Sequence, residues 1–392
     1  MKKILKTALI LLILASLFPG AAKLIVNVTK NTVKKSSAGV AAEDVIKQIG
    51  TGAAGQAGAS EGAKSADATD DKNNGVEPDP DSRRVNVLLT GIDRVGNNSD
   101  VIMLISVDPD SSSASILQIP RDTYINSPSY GFHKLGSVYS FGFNRALNSG
   151  KSEKEAVAAG SLELASLLER ISGISIEGFV SLDRAGLAAI VDSVGGVSVD
   201  IPSDLDYDDN SQDLHIHFKK GVTLLDGAGA ERFLRFRSGY LTADYGRMDA
   251  QKLFVASFIK KVRSELDLPK IIGLSTTLIS KVTTNLSPAL GLASLPTLLN
   301  ITPENVSMIT LKGLSVTRDG VMYEILNKSH ALSLFKKYAG SPRSLSSFDP
   351  DSVLSDPSDP EIDSLYSGPS PFSTSAFDAE NEDRIKQAIM FK

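Results

Sequence analysis

The sequence predicts an α/β or α+β fold in which helices cover a mixed central β-sheet. Short β-branched apolar runs, separated by turn residues, alternate with longer segments whose apolar residues recur at helical spacing. With 42% hydrophobic residues among 392, the chain can bury a sizeable core. We therefore predict a single domain over residues 84–338.

Three apolar runs at the start of this domain predict neighbouring strands. Residues 85–91, 101–107 and 114–120 are rich in Val, Ile and Leu and are separated by Gly, Asn, Asp and Ser. This is the pattern of buried strands joined by turns. The runs at 307–313 and 321–327 share it, so we expect strands there as well.

Helical spacing marks the segments between these strands. Ser152 and Glu155 form a capping-box pattern ahead of one apolar periodic run, and residues 184–194 repeat the spacing after a strand-like run. The remaining helical patterns lie at 226–234, 246–265, 268–281 and 328–338. We expect these helices to pack on the sheet.

The N-terminus predicts export across a membrane. Lys2, Lys3 and Lys6 precede an apolar stretch that runs from Ala8 to Ala22. On the residues alone, this segment fits a cleaved signal peptide or an uncleaved span within residues 1–26, and both readings place the body outside the membrane.

Two flanking segments have the composition of unfolded chain. Residues 27–83 are mostly rich in small and polar residues, and residues 339–392 are largely rich in Ser, Pro and Asp. Such segments bury too little apolar surface to fold alone. We predict a flexible stalk and a disordered tail.

The composition excludes several classes of function. A net charge of −5 argues against broad nucleic-acid binding, which needs a basic field. Without cysteine, the chain has no disulfide, thiolate metal site or cysteine nucleophile. The sequence also contains no GxSxG, P-loop or HExxH motif.

Two aspartates flank the break between the first two predicted strands. Asp93 and Asp100 would therefore emerge at neighbouring strand ends, where ligands bind in such sheets. Two carboxylates together with phosphate oxygens suit Mg²⁺. Ordinary turn chemistry explains the same residues.

Paired arginines predict an anion site. Arg121 and Asp122 directly follow Pro120, which ends a strand, and a salt-bridged strand end is the alternative there. Arg235 and Arg237 are two residues apart, a spacing that would place both on one face of a strand. Adjacent cations repel unless an anion joins them, so we expect phosphate binding.

A third polar row lies on a predicted helix. Asp244, Arg247 and Gln251 are spaced three and four apart and so share one helix face. A helix-capping aspartate with its i,i+3 partner is the alternative. Elsewhere, His215 and His217 alternate on a predicted strand, but the sequence shows no third metal ligand for them.

Taken in order, these segments resemble the LytR-CpsA-Psr family of membrane-anchored extracytoplasmic proteins, found mainly in Gram-positive bacteria. The resemblance covers a core at residues 84–265 and extends more loosely to 338. The segments that carry the resemblance are VNVLLTGIDR, IPRDT, HKLGSVYSFG, IVDSVGGV, DYDDNSQDLHIHFKKGVTLLDGAGAERFLRFR and DYGRMDAQ. Two positions depart from it. Gly136 stands where the family usually has asparagine, and Ala250 where arginine is common.

The resemblance implies a Mg²⁺-dependent phosphotransferase. Such an enzyme moves an anionic glycopolymer, such as teichoic acid or capsule, from an undecaprenyl-pyrophosphate carrier to peptidoglycan. It implies that Asp93 and Asp100 hold the metal, Mg²⁺ or alternatively Mn²⁺. The residues implied to bind pyrophosphate are Arg94, Arg121, Lys134, Arg235, Arg237 and Gln251. The residues implied to be catalytic are Arg121, Asp122, Asp244 and Arg247.

The family also commonly has a single span, which favours an uncleaved anchor and a cell-membrane location with the catalytic domain outside. A prenyl chain would need an apolar slot, for which residues 138–148 and 155–171 are candidates, although core packing explains these residues equally well. Two other functions share the same anion site: non-catalytic binding of polyprenyl phosphates in regulation or scaffolding, and hydrolysis of the lipid pyrophosphate. The sequence does not separate the three.

Overall fold

A computed structural model describes residues 84–93, 98–127, 129–265, 280–287, 290, 297, 300–340, 348–356, 358–367, 377–378, 382–389 and 391. The candidate anchor, the stalk, Arg94 and nearly all of the helix predicted at 268–281 lie outside the described residues. Within the described ranges, no helix combines the length and apolar character needed to cross a membrane.

The described residues form strands throughout the predicted domain and at one point in the tail. The strands are β1 (Val85–Asp93), β2 (Asn98–Asp108), β3 (Ser113–Gln118), β4 (Tyr124–Ser127), β5 (Gly131–Lys134), β6 (Gly178–Leu182), β7 (Val197–Ile201), β8 (Leu205–Asp209), β9 (Leu214–Phe218), β10 (Gly221–Leu225), β11 (Val282–Thr284), β12 (Val306–Thr310), β13 (Gly313–Arg318), β14 (Val321–Leu326) and β15 (Phe377–Asp378).

The α-helices alternate with these strands. They are α1 (Val138–Asn148), α2 (Glu153–Ser172), α3 (Arg184–Ser193), α4 (Gly227–Arg235), α5 (Asp244–Glu265), α6 (Lys328–Ala339), α7 (Pro360–Ser367) and α8 (Glu382–Ala388). Short 3-10 turns occur at Leu135–Ser137, Pro303–Asn305 and Pro350–Ser352.

The central sheet has seven strands in the order β11-β6-β1-β2-β3-β12-β15. β1 pairs antiparallel with β2 and parallel with β6, while β3 pairs antiparallel with β2 and parallel with β12. The predicted mixed sheet is thus confirmed. Because β1, β3, β6 and β12 run in one direction, their carboxyl ends meet at one edge, where α/β sheets bind ligands.

Each face of the sheet packs against its own layer of helices. Val87 and Leu89 pack into a core built with α3, α4, α5 and α8. Leu88, between them in sequence, lies in a second core with α2, α6 and α7. Successive side chains of a strand point to opposite faces, so the apolar run of β1 fills both layers.

The predicted capping box starts α2. Ser152 Oγ accepts from the Glu155 backbone N–H at 3.4 Å, and the Ser152 N–H donates to Glu155 Oε2 at 2.9 Å. The helix ends at Gly173, whose φ of 70° is the left-handed conformation that glycine adopts readily. This helix is fixed largely by local sequence.

A β-bulge shapes the start of β2. Gly91 is opposite Val101 and Ile92 is opposite Ser99, so Asp100 is an extra residue without a partner position on β1. Bulges re-aim side chains and are frequent beside active sites. Here the bulge allows Asp100 to line a cavity together with Val101.

The prediction of a disordered tail is wrong for its described residues. Val353, Leu354 and Tyr366 are buried in the core that contains α2, and Ile385 of α8 is buried in the opposite one. Average composition misses this order, because a few apolar residues among many Ser, Pro and Asp suffice when a core already exists to receive them.

Candidate functional site

Polar residues from separate segments line one narrow cavity at the carboxyl edge of the sheet. Its volume is about 10 Å³. The charged and amide residues that line it are Asp100, Gln118, Arg121, Asp244, Arg247 and Gln251. Five of these six were predicted site residues, and β2, the turn after β3 and the first turns of α5 bring them together.

Arg121 lies at the centre of this group. Its Nη1 donates to Asp100 Oδ1, and its Nε lies 3.6 Å from Asp122 Oδ2. Burial opposes the charge of Arg121, but Asp100, Asp244 and Asp122 outweigh that effect and raise the pKa of the guanidinium. Arg121 is therefore a fixed cation in a mostly buried position.

One donor of Arg121 has no acceptor among the described residues. Its Nε is buried and makes no hydrogen bond, since Asp122 Oδ2 lies beyond hydrogen-bonding distance. Buried polar groups in folded proteins are nearly always hydrogen-bonded. An unsatisfied, buried N–H on a charged guanidinium is suited to an oxyanion.

Asp122 and Lys134 form the next ion pair, with Lys134 Nζ 2.7 Å from Asp122 Oδ1. The backbone N–H of Glu324 donates to the Asp122 carbonyl at 2.9 Å, which brings β14 to the site. The Glu324 carboxylate accepts from Tyr245 at 2.9 Å and Ser315 at 2.6 Å. Burial, together with the charges of Asp122 and Asp244, raises the pKa of Glu324.

The predicted polar row of α5 is confirmed as one helix face. Arg247 Nε and Nη2 donate to Asp244 Oδ1 and Oδ2 at 3.0 and 3.1 Å. Burial alone would raise the pKa of Asp244, but Arg247, Arg121 and Arg237 lower it below its ordinary value. Gln251, one turn further along, accepts from Gln118 Nε2 at 3.3 Å.

The chain packs closely against the site at Gly136. Its N–H donates to the Arg121 carbonyl at 2.8 Å. A Cβ at position 136 would lie 2.6 Å from the Ser99 carbonyl oxygen and 3.1 Å from Arg121 Cβ. The departure from the family's usual asparagine therefore has a steric basis in this chain.

Asp93 lies on the same sheet face as Val101, because it is two residues beyond Gly91, the partner of Val101. Arg184, at the start of α3, has Nη2 3.8 Å from Asp93 Oδ1 and Nη1 3.6 Å from Glu231 Oε1. Arg184 and Glu231 therefore extend the site beyond the cavity, and neither was predicted from the sequence. We call this group of charged residues the second branch of the site. Arg184 follows β6 and Asp183, the residue that caps α3, much as Arg121 follows β3. This position after a strand was the signal in the sequence that could have identified Arg184.

Arg235 belongs to this second branch. Its Nη1 lies 3.2 Å from Glu231 Oε1, and its Nη2 donates to Gln212 Oε1 at 3.0 Å. The prediction that Arg235 and Arg237 share a strand face is wrong, because Arg235 is the last residue of α4 and Arg237 lies two residues beyond. Arg237 is exposed, and its charge acts on Asp244.

The donor set at the β1–β2 connection fits a hard divalent cation. Asp93 ends β1 and Asp100 lies in the bulge at the start of β2, so both provide carboxylate oxygens at adjacent strand ends. Mg²⁺ is usually held by one or two carboxylates together with substrate phosphates. Asp93 lies near Arg184, and Asp100 lies near Arg121. A metal ion held by the two carboxylates would therefore contact the same anionic ligand as these arginines.

The two helices suggested for a prenyl slot pack closely on each other. A Cβ at Gly142 of α1 would lie 2.5 Å from the Ala159 carbonyl oxygen, and one at Gly160 would lie 2.7 Å from the Tyr139 ring. A wider cavity of about 510 Å³ lies elsewhere, between α3, β10 and α4, and none of the predicted site residues lines it.

A family model for the LytR_cpsA_psr family matches residues 53–339. The polyisoprenyl-teichoic acid–peptidoglycan teichoic acid transferase TagU of Oceanobacillus iheyensis is 28% identical over 252 residues, which are 62% of this chain and 71% of that protein. TagU of Bacillus cereus strain ATCC 14579 is 32% identical over 212 residues, 53% of this chain and 62% of that protein.

Solved structures share the fold. The crystal structure of Bacillus subtilis TagV aligns with a TM-score of 0.52 and 23% identity, covering 66% of this chain and 98% of that one. The Streptococcus agalactiae protein gbs0355 aligns with a TM-score of 0.53 and 20% identity, covering 67% of this chain and 89% of that one. The family model covers well over half of the sequence, and the chain belongs to the LytR_cpsA_psr family.

Proposed function

We propose that this protein transfers an anionic glycopolymer from an undecaprenyl-pyrophosphate carrier to peptidoglycan, at the outer face of the cell membrane. The observation that carries the proposal is the buried Arg121 Nε, which has no hydrogen-bond acceptor among the described residues and lies beside Asp100, Asp244 and Arg247. The names of the TagU relatives support the same reaction class, because they describe transfer of teichoic acid to peptidoglycan.

The charge around the cavity fits phosphoryl transfer. This reaction is accelerated mainly by positioning and by cations that stabilise the charge on phosphate oxygens. The cavity is too small for a pyrophosphate while its ion pairs are closed. Entry of the ligand would replace the carboxylate on Arg121 with phosphate oxygens, which arginine binds in the same forked geometry.

In the proposed reaction, a hydroxyl oxygen of the peptidoglycan glycan attacks the phosphorus nearer the polymer sugar. The bond from that phosphorus to the bridging oxygen breaks, and undecaprenyl phosphate leaves with the electron pair. Arg121, Arg235 and Arg237 would hold the pyrophosphate oxygens, with Arg94 and Lys134 as further cations. The product is a phosphodiester between polymer and peptidoglycan.

Asp93 and Asp100 would hold Mg²⁺, or Mn²⁺ in its place. When bound, the metal would add positive charge against the pyrophosphate oxygens. Both aspartates lie within reach of arginines that face the same region, Arg184 for Asp93 and Arg121 for Asp100.

The proton of the attacking hydroxyl needs an acceptor, and Asp122 and Asp244 are the candidates. Asp244 is held by both donors of Arg247 and has a lowered pKa, which makes it a poor proton acceptor. Asp122 also has an ion pair, but only one of its oxygens has a cation at hydrogen-bonding distance, Lys134 Nζ at 2.7 Å, whereas both oxygens of Asp244 are held. On this geometry we assign general-base catalysis to Asp122, and we assign to Asp244 the positioning of Arg247. Gln251, hydrogen-bonded to Gln118, lines the same cavity and would contact the pyrophosphate.

The proposal is tested with the full chain in detergent, a lipid-linked pyrophosphoryl glycopolymer, peptidoglycan and Mg²⁺. Polymer attached to peptidoglycan is measured for the wild type, Asp93→Asn and Asp100→Asn. Asp319→Asn is the matched control, because Asp319 lies in the β13–β14 turn at a φ of 50°, which asparagine also tolerates.

We expect attachment with the wild type and the control, and a loss of attachment with both site variants or with a metal chelator. Polymer released into solution would identify a lipid pyrophosphatase instead. Lipid binding without attachment or release, unchanged in Asp93→Asn, would identify a non-catalytic binder.

A further inference from the structure

A second group of metal-ligating side chains lies on the hairpin formed by β8 and β9, outside the cavity described above. In that hairpin, Asp206 is opposite His217 and Asp208 is opposite His215. Residues two apart on a strand share a face, so all four side chains point to the same exposed side. The alternation of the two histidines is visible in the sequence, whereas the carboxylates that face them become apparent only from the strand pairing.

One carboxylate oxygen lies between the two imidazoles. Asp208 Oδ1 is hydrogen-bonded to His215 Nδ1 and lies 3.4 Å from His217 Nε2. One ligand atom from each of these three residues lies within 4.8 Å of the other two. Ligand atoms around a tetrahedral Zn²⁺ are about 3.3 Å apart, so small rotations of exposed side chains complete the geometry.

The outer nitrogens of both imidazoles face further carboxylates. His217 Nδ1 lies 2.6 Å from Asp206 Oδ1, and His215 Nε2 lies 3.6 Å from Asp213 Oδ1. Histidine ligands of metals almost always donate their second ring N–H to such an acceptor, which fixes the tautomer and orients the ring. The two histidines share the carboxylate of Asp208, and each faces a second carboxylate with its other ring nitrogen. This is the arrangement that a metal site requires.

We propose that Asp208, His215 and His217 bind a divalent transition-metal cation such as Zn²⁺. Two imidazole nitrogens and one carboxylate suit Zn²⁺ and its neighbours, whereas Mg²⁺ prefers oxygen ligands alone. This site is therefore distinct in chemistry from the carboxylate pair at the β1–β2 connection. Three protein ligands leave a coordination position open to water or a partner.

A hydrogen bond links this site to the candidate pyrophosphate site. Gln212, in the turn between Asp208 and His215, accepts a hydrogen bond from Arg235 at 3.0 Å. A cation bound across the two strands would hold this turn in the position that meets Arg235. The metal would thus act on the hairpin without entering the reaction.

The test is calorimetric titration of Zn²⁺ into the full chain in detergent, purified without a histidine tag, with the melting temperature as a second readout. The variants are His217→Gln and Asp206→Asn. The control is the double variant His133→Gln with His330→Gln, which removes the other two of the four histidines.

We expect one Zn²⁺ per wild-type chain and a higher melting temperature with Zn²⁺ than without it. His217→Gln should weaken binding by at least about tenfold and Asp206→Asn by about tenfold. The double control should bind as the wild type does. The proposal fails if the wild type binds no Zn²⁺, if His217→Gln binds as tightly, or if the double control loses binding.

Discussion

Arg247 holds Asp244 through two hydrogen bonds, Nε to Oδ1 at 3.0 Å and Nη2 to Oδ2 at 3.1 Å. The pair lies at the first turn of α5 and lines the same cavity as Arg121. Because Nε and Nη2 of Arg247 both donate to Asp244, the planar guanidinium is held in one orientation. The direction of its remaining N–H groups is therefore fixed. The pair therefore defines one wall of the proposed pyrophosphate site.

Arg247→Lys keeps the charge but loses this fork. A hydrogen bond to a charged group contributes about 1.5 to 3 kcal/mol, so we expect kcat/KM for polymer transfer to fall about ten- to a hundredfold. Arg145→Lys is the control, because exposed Arg145 pairs with Glu163 away from the cavity. Equal activity of Arg247→Lys and the wild type would remove Arg247 from the site.

Arg235 and Arg237 should respond differently to substitution. Arg235 holds Gln212 and Glu231, so Arg235→Gln should lower both the melting temperature and the affinity for lipid pyrophosphate. Arg237 is exposed, so Arg237→Gln should lower affinity alone. Thermal unfolding and lipid binding by the two variants check this. Full affinity in Arg237→Gln would contradict a ligand-binding role for that residue.

Gly136 should resist replacement even by the asparagine usual in the family. A Cβ there meets the Ser99 carbonyl oxygen at 2.6 Å, and overpacking of this kind costs about 1 to 3 kcal/mol. We expect Gly136→Ala and Gly136→Asn to lower the free energy of unfolding by that amount and to reduce transfer. Denaturant unfolding measures it, with exposed Ser129→Ala as the control. No change in the Gly136 variants would show that the turn relaxes freely.

Glu324 should make stability fall as pH rises. Its folded-state pKa is raised above the ordinary 4.5, so the folded state binds more protons than the unfolded state between 4.5 and the raised value. The stabilisation is present below that window and is lost as pH rises through the folded pKa. Glu324→Gln cannot ionise and keeps an acceptor for Tyr245.

We therefore expect Glu324→Gln to melt above the wild type at pH 8, and the difference to shrink as pH falls below about 4.5. Thermal unfolding across this range checks the sign. A difference that does not change with pH would show that Glu324 is not the titrating group. A lower melting temperature at pH 8 would show that the lost charge was stabilising.

Local sequence determined much of the fold. The strands predicted at 85–91 and 101–107 are present within β1 and β2, and the helix predicted at 184–194 matches α3 within one residue. These segments have one dominant period and clear boundary residues. The sequence of residues 233–237 fits both the end of a helix and a strand. In the structure, the helix predicted at 226–234 continues to Arg235, with Asp226 as its cap, and no strand forms at these residues.

Pairings between distant segments were not accessible in the same way. The group of Asp208, His215 and His217 depends on the register of a hairpin, and the approach of Glu324 to Asp122 joins segments about 200 residues apart, with a backbone hydrogen bond between them. Glu324 was visible only as a lone charge in an apolar strand. Such contacts come from tertiary packing, which a single sequence does not reveal.

The most direct test of the proposed reaction is the identity of both products. The full chain is incubated with Mg²⁺, peptidoglycan and a carrier lipid whose two phosphates carry different isotopes of oxygen, and products are analysed by mass spectrometry. We predict equal amounts of undecaprenyl phosphate and of polymer joined to peptidoglycan through one phosphodiester, neither formed by Arg121→Gln. Recovery of undecaprenyl pyrophosphate would contradict attack at the phosphorus nearer the polymer, and recovery of polymer bearing a free terminal phosphate would contradict its transfer to peptidoglycan.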